Sequence, residues 1–245
     1  VHYIHEEAGG QPNVVPAYAR TWYYVRAPER SQVEEIYQWV LDIVKGANLM
    51  AKTTSPPESL TGCYNKLPNE VLADLVVDQM REIGAPTHTE EELAFADKMA
   101  ESIDIDKKMN SLQKSNRPGW EELRDVHFDE RVLDDYREGM VGAGSTDVSD
   151  VSWVAPTIEF STTCCMLGTP GHSWQYVAQN GMSIGHKGLI FSTKIHAATA
   201  LELLTKPDLL QSVKDEWQER LRGREYKPPI PMDLKPPLDQ LKKKA

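Results

Sequence analysis

The longest regular pattern of apolar positions in the chain has the spacing of a helix. Apolar residues recur at steps of three and four: Val33, Ile36, Tyr37, Val40, Leu41 and Val44. This spacing places them on one face and predicts an amphipathic helix. Pro28-Glu29 precedes the pattern, and Gly46 indicates that the helix ends there or shortly after.

Capping residues and periodicity predict four further helices. Asn69 and Gly84 delimit the first of them, at residues 70–83. Thr89 and Glu92 have the spacing of a capping box for the second, an acidic helix that runs to about residue 103. The other two are a mostly buried helix at 188–204 and a helix from Pro207, at the first helical position, to near Gly223.

Alternating and β-branched runs predict strands at 1–7, 20–27, 58–64 and 154–167. The order strand, strand, helix, strand in the first 64 residues is typical of a small α+β sandwich with its helix on one sheet face. The run at 154–167 is predicted as a buried strand. The charged stretch 104–138 is interpreted as a surface excursion with short helices. The proline- and lysine-rich residues after 223 are interpreted as an extended tail.

Composition narrows the classes of function. The chain has 245 residues, 40% of them hydrophobic, which is enough for a core. A net charge of −10 argues against nucleic acid and anionic membrane as main partners. Three cysteines are too few for a disulfide framework and indicate a reducing cytoplasm. No run approaches the roughly 20 apolar residues of a membrane span. Because the chain opens on Val1 inside a predicted strand, we expect the amino-terminal part of a longer protein before it.

The segment Gly142–Gly188 holds the candidate chemistry. It is rich in glycine, small hydroxyl residues, aspartate and histidine, a composition typical of loops that carry a site. His186, in Ser-Ile-Gly-His-Lys-Gly just before the predicted helix, is the leading metal-ligand candidate, and the alternative is a loop histidine that faces water. His172 is its rival, and the alternative there is a pocket-lining role. Asp147 and Asp150 either bind a cation or substrate amine or cap the next element.

Other residue types in the chain carry simpler interpretations. His196 is interpreted as a core histidine, and His88 and His127 as surface residues. Cys164 and Cys165, adjacent on a predicted strand, point to opposite faces and are interpreted as buried small apolar residues. His2 and His5 also face opposite ways, so at most one of them joins a given site. The chain contains no HExxH, GxSxG, P-loop or GxGxxG motif.

Five motifs in order carry a resemblance to a known family. They are Val1-His2-Tyr3, Gly9-Gly10-Gln11-Pro12-Asn13-Val14-Val15-Pro16, Gly144-Ser145-Thr146-Asp147-Val148, Gly168-Thr169-Pro170-Gly171-His172 and Gly185-His186-Lys187-Gly188. Together they resemble the carboxyl-terminal half of the aminoacylase/carboxypeptidase family of dimeric zinc amidohydrolases. The nearest likeness is to its p-aminobenzoyl-glutamate hydrolase branch. The resemblance covers nearly the whole chain apart from the tail and is weakest over the charged excursion.

The resemblance implies an α/β fold in two parts. Residues 1–68 would be part of an inserted ferredoxin-like α+β lid that mediates dimerisation and lacks its first strand and helix. Residues 69–223 would be the carboxyl-terminal part of a catalytic α/β domain with a mixed sheet flanked by helices, and residues 224–245 the tail.

The resemblance also implies site residues. His186 would be a metal ligand, and His2 the lid histidine that reaches the partner's site and stabilises an oxyanion. Asn13 and Asp147 would contact substrate, although the family's usual Glu-Asp pair is here Thr146-Asp147. His172 would line the substrate pocket. The remaining ligands and the general base would lie upstream of residue 1.

The implied function is a metal-dependent amidohydrolase in the cytoplasm. It would use zinc, manganese or cobalt, with two ions in the complete protein, and act as a homodimer on an N-acyl amino acid, a short peptide or a p-aminobenzoyl-glutamate-like amide. This chain would supply an incomplete portion and be inactive alone. The alternative is a non-catalytic dimerisation or binding module built on the same scaffold.

Overall fold

The computed structural model describes residues 1–137, 139–142 and 144–235, and these form eight α-helices, a 3-10 helix and two β-strands. The chain divides into two compact units. Among the described residues, the first unit contains Val1–Lys66, Val141–Trp153 and the residues after Arg224, and the second contains Leu67–Met140 and Val154–Arg224. No helix among the described residues is both long and apolar enough to cross a bilayer.

The first unit begins with a two-stranded antiparallel ribbon. Strand β1 (His2–Glu7) pairs with β2 (Arg20–Tyr24), and Tyr3 lies opposite Tyr23 with ring centroids 5.7 Å apart. Cross-strand aromatic pairs of this kind stabilise a ribbon and fix its register. Both predicted strands are therefore confirmed, although β2 is shorter than predicted.

Helix α1 (Arg30–Ala51) of the first unit matches the predicted amphipathic pattern. Glu29 and Gln32 form a reciprocal capping box at its start. The helix ends at Ala51, five residues after Gly46, where Lys52 caps it with a left-handed backbone conformation. The predicted apolar face is half-buried along most of its length.

An aromatic clasp joins three stretches of the first unit. The Tyr64 ring lies 4.9 Å from Trp153 and 5.1 Å from Tyr226, measured between centroids. Asp150, in the short helix α5 (Val148–Val151), accepts a hydrogen bond from the Tyr226 hydroxyl at 3.1 Å and one from the Tyr64 amide at 3.3 Å. Burial, and then the hydrogen bond to Asp150, raise the pKa of Tyr226 to about 12.

The second unit is helical among its described residues. Its α-helices are α2 (Glu70–Ile83), α3 (Glu90–Ala100), α4 (Ile105–Lys114), α6 (Trp174–Asn180), α7 (Ser183–Thr205) and α8 (Pro207–Leu221), with the 3-10 helix at Trp120–Leu123. Helix α7 packs against α2, α6 and α8. One buried cluster comprises Ala96, Met99, Phe128, Met166 and Ile184, and another comprises Val76, Phe191 and Ile195.

The predicted starts of α2, α3 and α8 are confirmed because their caps are local. The Asn69 side chain accepts from the Leu72 amide at 2.9 Å and donates to the Val213 carbonyl at 3.0 Å. Thr89 and Glu92 form both bonds of the capping box. Pro207 occupies the first turn of α8, where a missing N–H costs nothing. Helix α7 instead begins at Ser183, five residues before its predicted start, so His186 lies within the helix and not before it.

Two predicted strands are wrong. Neither residues 58–64 nor residues 154–167 form a strand. A strand needs a neighbour that satisfies its backbone, and among the described residues only β1 and β2 pair in a sheet. In 154–167 the Leu167 amide instead donates to the His127 carbonyl at 2.7 Å.

Two burial predictions also need correction. Helix α7 is not mostly buried, since Leu189, Leu201 and Leu204 are exposed; one face packs on its neighbours and another does not. His196 lies on an exposed part of the same helix and bonds to the Ser192 carbonyl at 2.8 Å. Within the predicted surface excursion 104–138, by contrast, the side chains of Leu112, Leu123 and Phe128 are buried.

The described residues form both α-helices and β-strands, which confirms the broad fold class that was predicted. The mixed catalytic sheet is not observed among the described residues, whose only sheet is the two-stranded ribbon. The ferredoxin-like lid and the predicted limits of the two domains stay predictions. The last part of the predicted tail, from residue 236 onward, lies outside the described residues.

Candidate functional site

His186 lies in the first turn of α7 between two buried glycines that permit close packing. A Cβ on Gly185 would lie 2.5 Å from the Asn180 Cα, and one on Gly188 would lie 2.3 Å from the Thr163 carbonyl oxygen. Real side chains do not tolerate such distances, so both positions require glycine unless the backbone shifts. The two glycines of the Gly-His-Lys-Gly motif therefore let this turn pack closely between the end of α6 and the segment around Thr163.

An ion pair next to His186 fixes the same turn. The Lys187 ammonium lies 2.6 Å from a Glu92 carboxylate oxygen and 2.9 Å from the Thr87 carbonyl. Burial by itself would raise the pKa of Glu92, but hydrogen bonds from Lys187, Ser183 and the Thr89 amide outweigh it and lower the pKa to about 2. Glu92 is thus an ionised anchor that joins the start of α3 to the start of α7.

The exposed His186 side chain faces a groove of about 380 Å³ on the second unit. Its lining residues are Ile83, Gly84, Pro86, Ser183, His186, Lys187, Ile190, Phe191 and Lys194. No carboxylate, thiol or second imidazole belongs to this lining. Within the ranges that the structure describes, no three His, Cys, Asp or Glu side chains are placed to hold a metal ion. These residues do not by themselves fit a metal centre, which needs at least three protein ligands.

His172 belongs to the loop that leads into α6. It is exposed and has a left-handed backbone with φ of 57°, which is uncommon outside glycine. Gln179, which is fully buried, holds this loop: its side chain accepts from the Met166 amide at 2.8 Å and donates to the Thr169 hydroxyl at 3.0 Å. Sequence analysis missed Gln179, because nothing local indicates that a glutamine in a short polar helix is buried.

The predicted lid residues lie on exposed parts of the first unit. His2 is on β1 opposite Tyr24. Its neighbour His5 is bonded through Nδ1 to the Thr21 hydroxyl at 2.9 Å. Asn13 is exposed in the turn that links the strands. His2 and Asn13 are therefore accessible to a ligand.

Asp147 and Asp150 have different environments. Asp147 is exposed immediately before α5 and provides no side-chain cap, while its carboxylate accepts from the Thr146 hydroxyl at 3.4 Å. The Asp150 carboxylate belongs to the aromatic clasp and binds Tyr226 and Tyr64. These contacts correspond neither to cation binding nor to helix capping. Asp147 remains the accessible carboxylate of the pair.

The five predicted site residues divide between the two units. His2, Asn13 and Asp147 belong to the first unit, and His172 and His186 to the second. Their roles at one site stay predictions.

Two simpler sequence interpretations are corrected in the second unit. The His88 side chain is only 4% exposed and stacks on Phe128 with ring centroids 3.7 Å apart, so it is not a surface residue. His127 is largely covered and lies 2.8 Å from the Asp97 carboxylate. Cys164 and Cys165 are only partly buried and, like Cys63, are free thiols.

Comparison with known proteins identifies relatives of the whole chain. The chain is 36% identical, over 96% of its length, to a subunit of p-aminobenzoyl-glutamate hydrolase from Escherichia coli (strain K12). The chain is a homologue of that hydrolase. This confirms the family resemblance carried by the five motifs. The aligned residues make up 51% of that relative, so the chain spans about half the length of this relative.

More distant relatives are also hydrolases of amide bonds by name. Xaa-Arg dipeptidases of Mus musculus and Homo sapiens are 25% and 24% identical over 91% and 92% of this chain, and the aligned parts make up 41% and 42% of those proteins. No family model matches the chain, and no solved structure matches it.

Proposed function

We propose that the chain is part of a metal-dependent amidohydrolase that cleaves the amide bond between an acyl or aryl group and an amino acid. The observation that carries this proposal is the 36% identity, over nearly the whole chain, to part of a p-aminobenzoyl-glutamate hydrolase. The dipeptidase relatives support the same bond type. A p-aminobenzoyl-glutamate-like substrate is therefore the first to test.

The chemistry proposed for this chain is contact with substrate. His2 donates a hydrogen bond to the carbonyl oxygen as negative charge develops on it, an interaction that is strongest in the transition state. Asn13 and Asp147 contact the polar ends of the substrate, and His172 lines its pocket. Exposure of His2, Asn13, Asp147 and His172 supports these roles.

Metal dependence is proposed from the resemblance alone. His186 would be one ligand of a zinc, manganese or cobalt centre, with two ions in the complete protein. Since the described residues do not form such a centre, the remaining ligands and the general base would have to come from elsewhere. Catalysis in the cytoplasm by a homodimer belongs to the same proposal, and the free cysteines are compatible with a reducing compartment.

The test is whether the protein that contains this chain hydrolyses p-aminobenzoyl-glutamate, measured by the release of p-aminobenzoate. We expect His186→Ala to abolish activity and reduce bound metal measured by elemental analysis. We expect His2→Ala to lower kcat while metal content is kept. Full activity and normal metal content in His186→Ala would reject the ligand assignment.

A second candidate function, a non-catalytic interaction module, is favoured by the outer face of α1. Trp39, Ile43 and Met50 are 70%, 58% and 84% exposed. Their spacings of four and seven residues place them in one stripe. Exposed apolar stripes of this kind mark protein interaction surfaces. Stable self-association without any amide hydrolysis, in the protein that contains this chain, would favour this candidate over the enzyme.

A further inference from the structure

The groove beside His186 has apolar walls and a cationic end. Ile83 and Pro86 form one side, where α2 ends, and Ile190 and Phe191 of α7 form the other. The polar lining residues are Ser183, His186, Lys187 and Lys194. In a chain with a net charge of −10, a groove lined by two lysines and no carboxylate is distinctive.

Two of those four polar groups are already engaged within the protein. Lys187 is neutralised by Glu92 at 2.6 Å, and the Ser183 side chain hydrogen-bonds to the same carboxylate. Lys194 is exposed, and in the part of the chain that the structure describes no carboxylate pairs with its ammonium. Lys194 is therefore the uncompensated positive charge of the groove, and His186 is its exposed imidazole.

The two remaining groups lie along one face of a single rigid helix. His186, Ile190 and Lys194 are separated by steps of four residues and so share a face of α7. Eight residues of helix place the backbones of His186 and Lys194 about 12 Å apart along the axis. The flexible stem of Lys194 can bring its ammonium part of the way back over Ile190.

We propose that this groove binds a small organic carboxylate with an apolar or aryl body. The body lies against Ile83, Pro86 and Ile190, and the carboxylate pairs with Lys194. An ammonium is a hydrated point charge on a flexible stem, which suits a carboxylate in a partly open site. The identification of this ligand as the substrate, with the carboxylate of its acidic amino acid at Lys194, rests on the proposed function; the carboxylate site itself does not.

The test is equilibrium binding of p-aminobenzoyl-glutamate and of its dimethyl ester to the protein that contains this chain, by titration calorimetry, with metal removed by EDTA so that hydrolysis does not consume the ligand. The ester keeps the aryl body and removes the negative charge. We expect the acid to bind about tenfold more tightly than the ester, the size expected of one partly exposed charged contact. We expect Lys194→Gln to remove this difference, and Lys194→Arg, which keeps the charge, to retain most of it.

Lys214→Gln is the matched control, since Lys214 is exposed on α8, outside the groove, and the substitution makes the same change in net charge. It should leave both affinities unchanged. Equal affinity for acid and ester, no binding of either, or a Lys194→Gln protein that still discriminates would overturn the proposal.

Hydrolysis measurements separate this proposal from the proposed function. Charge-dependent binding at Lys194 without any hydrolysis rejects the amidohydrolase and leaves the carboxylate site in place. Hydrolysis with an unchanged KM for p-aminobenzoyl-glutamate in Lys194→Gln rejects the carboxylate site and leaves the amidohydrolase in place. Raised salt should weaken binding of the acid and not of the ester, because it screens only the charged contact.

Discussion

Single residues around His186 are held by contacts too close to allow a larger side chain. At Gly188 an added Cβ would meet the Thr163 carbonyl oxygen at 2.3 Å and the Cys164 sulfur at 2.5 Å. We expect Gly188→Ala to lower the free energy of unfolding by about 1–3 kcal/mol, or more, because the first turn of α7 has to move. Urea denaturation followed by circular dichroism measures this loss.

The control for that substitution is Gly171→Ala in the same unit. Gly171 has open space around its Cβ position and a φ outside the left-handed region. We expect a change within about 1 kcal/mol, which can even be favourable through the unfolded chain. Equal losses at the two positions would show that close packing of the Gly-His-Lys-Gly turn is not the cause.

Glu92 should make the stability of the second unit dependent on pH. Its pKa is about 2 in the folded protein and 4.5 in a model compound. A lowered folded pKa contributes stability that is complete above the unfolded pKa and is lost as pH falls from about 4.5 towards 2. We expect Glu92→Gln to lower the free energy of unfolding by about 1.5–3 kcal/mol at neutral pH. The fall in stability at acid pH should also be smaller in this variant.

Urea denaturation between pH 7 and pH 2.5 measures the effect of Glu92. The exposed neighbour Glu91 supplies the control, since Glu91→Gln changes the same charge on the same helix turn. A Glu92→Gln protein with the pH profile of the wild type would mean that the bond to Lys187 does not stabilise the fold.

At the scale of elements, the aromatic clasp of the first unit depends on one carboxylate. Asp150 accepts from the Tyr226 hydroxyl and the Tyr64 amide, which lie far apart in sequence. We expect Asp150→Ala to destabilise the clasp by about 1–2 kcal/mol and Tyr226→Phe by about 1 kcal/mol, since the first removes two bonds and the second only one. Hydrogen exchange at the Tyr64 amide reports this local opening.

Asp147→Ala is the comparison for the clasp, because Asp147 lies three residues away and makes neither bond. Protection of the Tyr64 amide should survive in Asp147→Ala and fall in Asp150→Ala. Unchanged protection in both proteins would mean that ring packing alone holds the three stretches together.

The elements that could be predicted from sequence are those whose signals are local. Asn69, the Thr89–Glu92 box and Pro207 delimit helices through bonds to residues a few positions away, and these predictions are confirmed. The run 154–167 has strand composition but forms no strand, because a ladder needs a partner that composition does not specify.

The candidate site shows the same limit. The motif around His186 indicated a functional histidine, but the partners that hold it could not be predicted. Gly188 meets Thr163, and Lys187 meets Glu92, across 25 and 95 positions of sequence. Contacts at such separations depend on the tertiary fold, and one sequence without its structure does not specify them.

At the scale of the whole molecule, the exposed stripe of α1 connects the fold to its state of assembly. Trp39, Ile43 and Met50 leave a continuous apolar strip in contact with water, which is unfavourable in free energy. Covering the strip with a second copy of the chain would remove this unfavourable contribution. If the proposed homodimer uses this face, Ile43→Glu places a charge within the interface and should convert the protein to monomer. Sedimentation velocity over a range of protein concentrations measures the shift.

Gln38→Glu provides the control for self-association. It adds the same charge to the same helix but lies outside the stripe and is exposed. Because a buried unpaired charge is far more costly than an exposed one, we expect only Ile43→Glu to raise the dimer dissociation constant by two orders of magnitude or more. Unchanged association in Ile43→Glu would place the dimer contact on another surface and remove the observation that favours an interaction module over the enzyme.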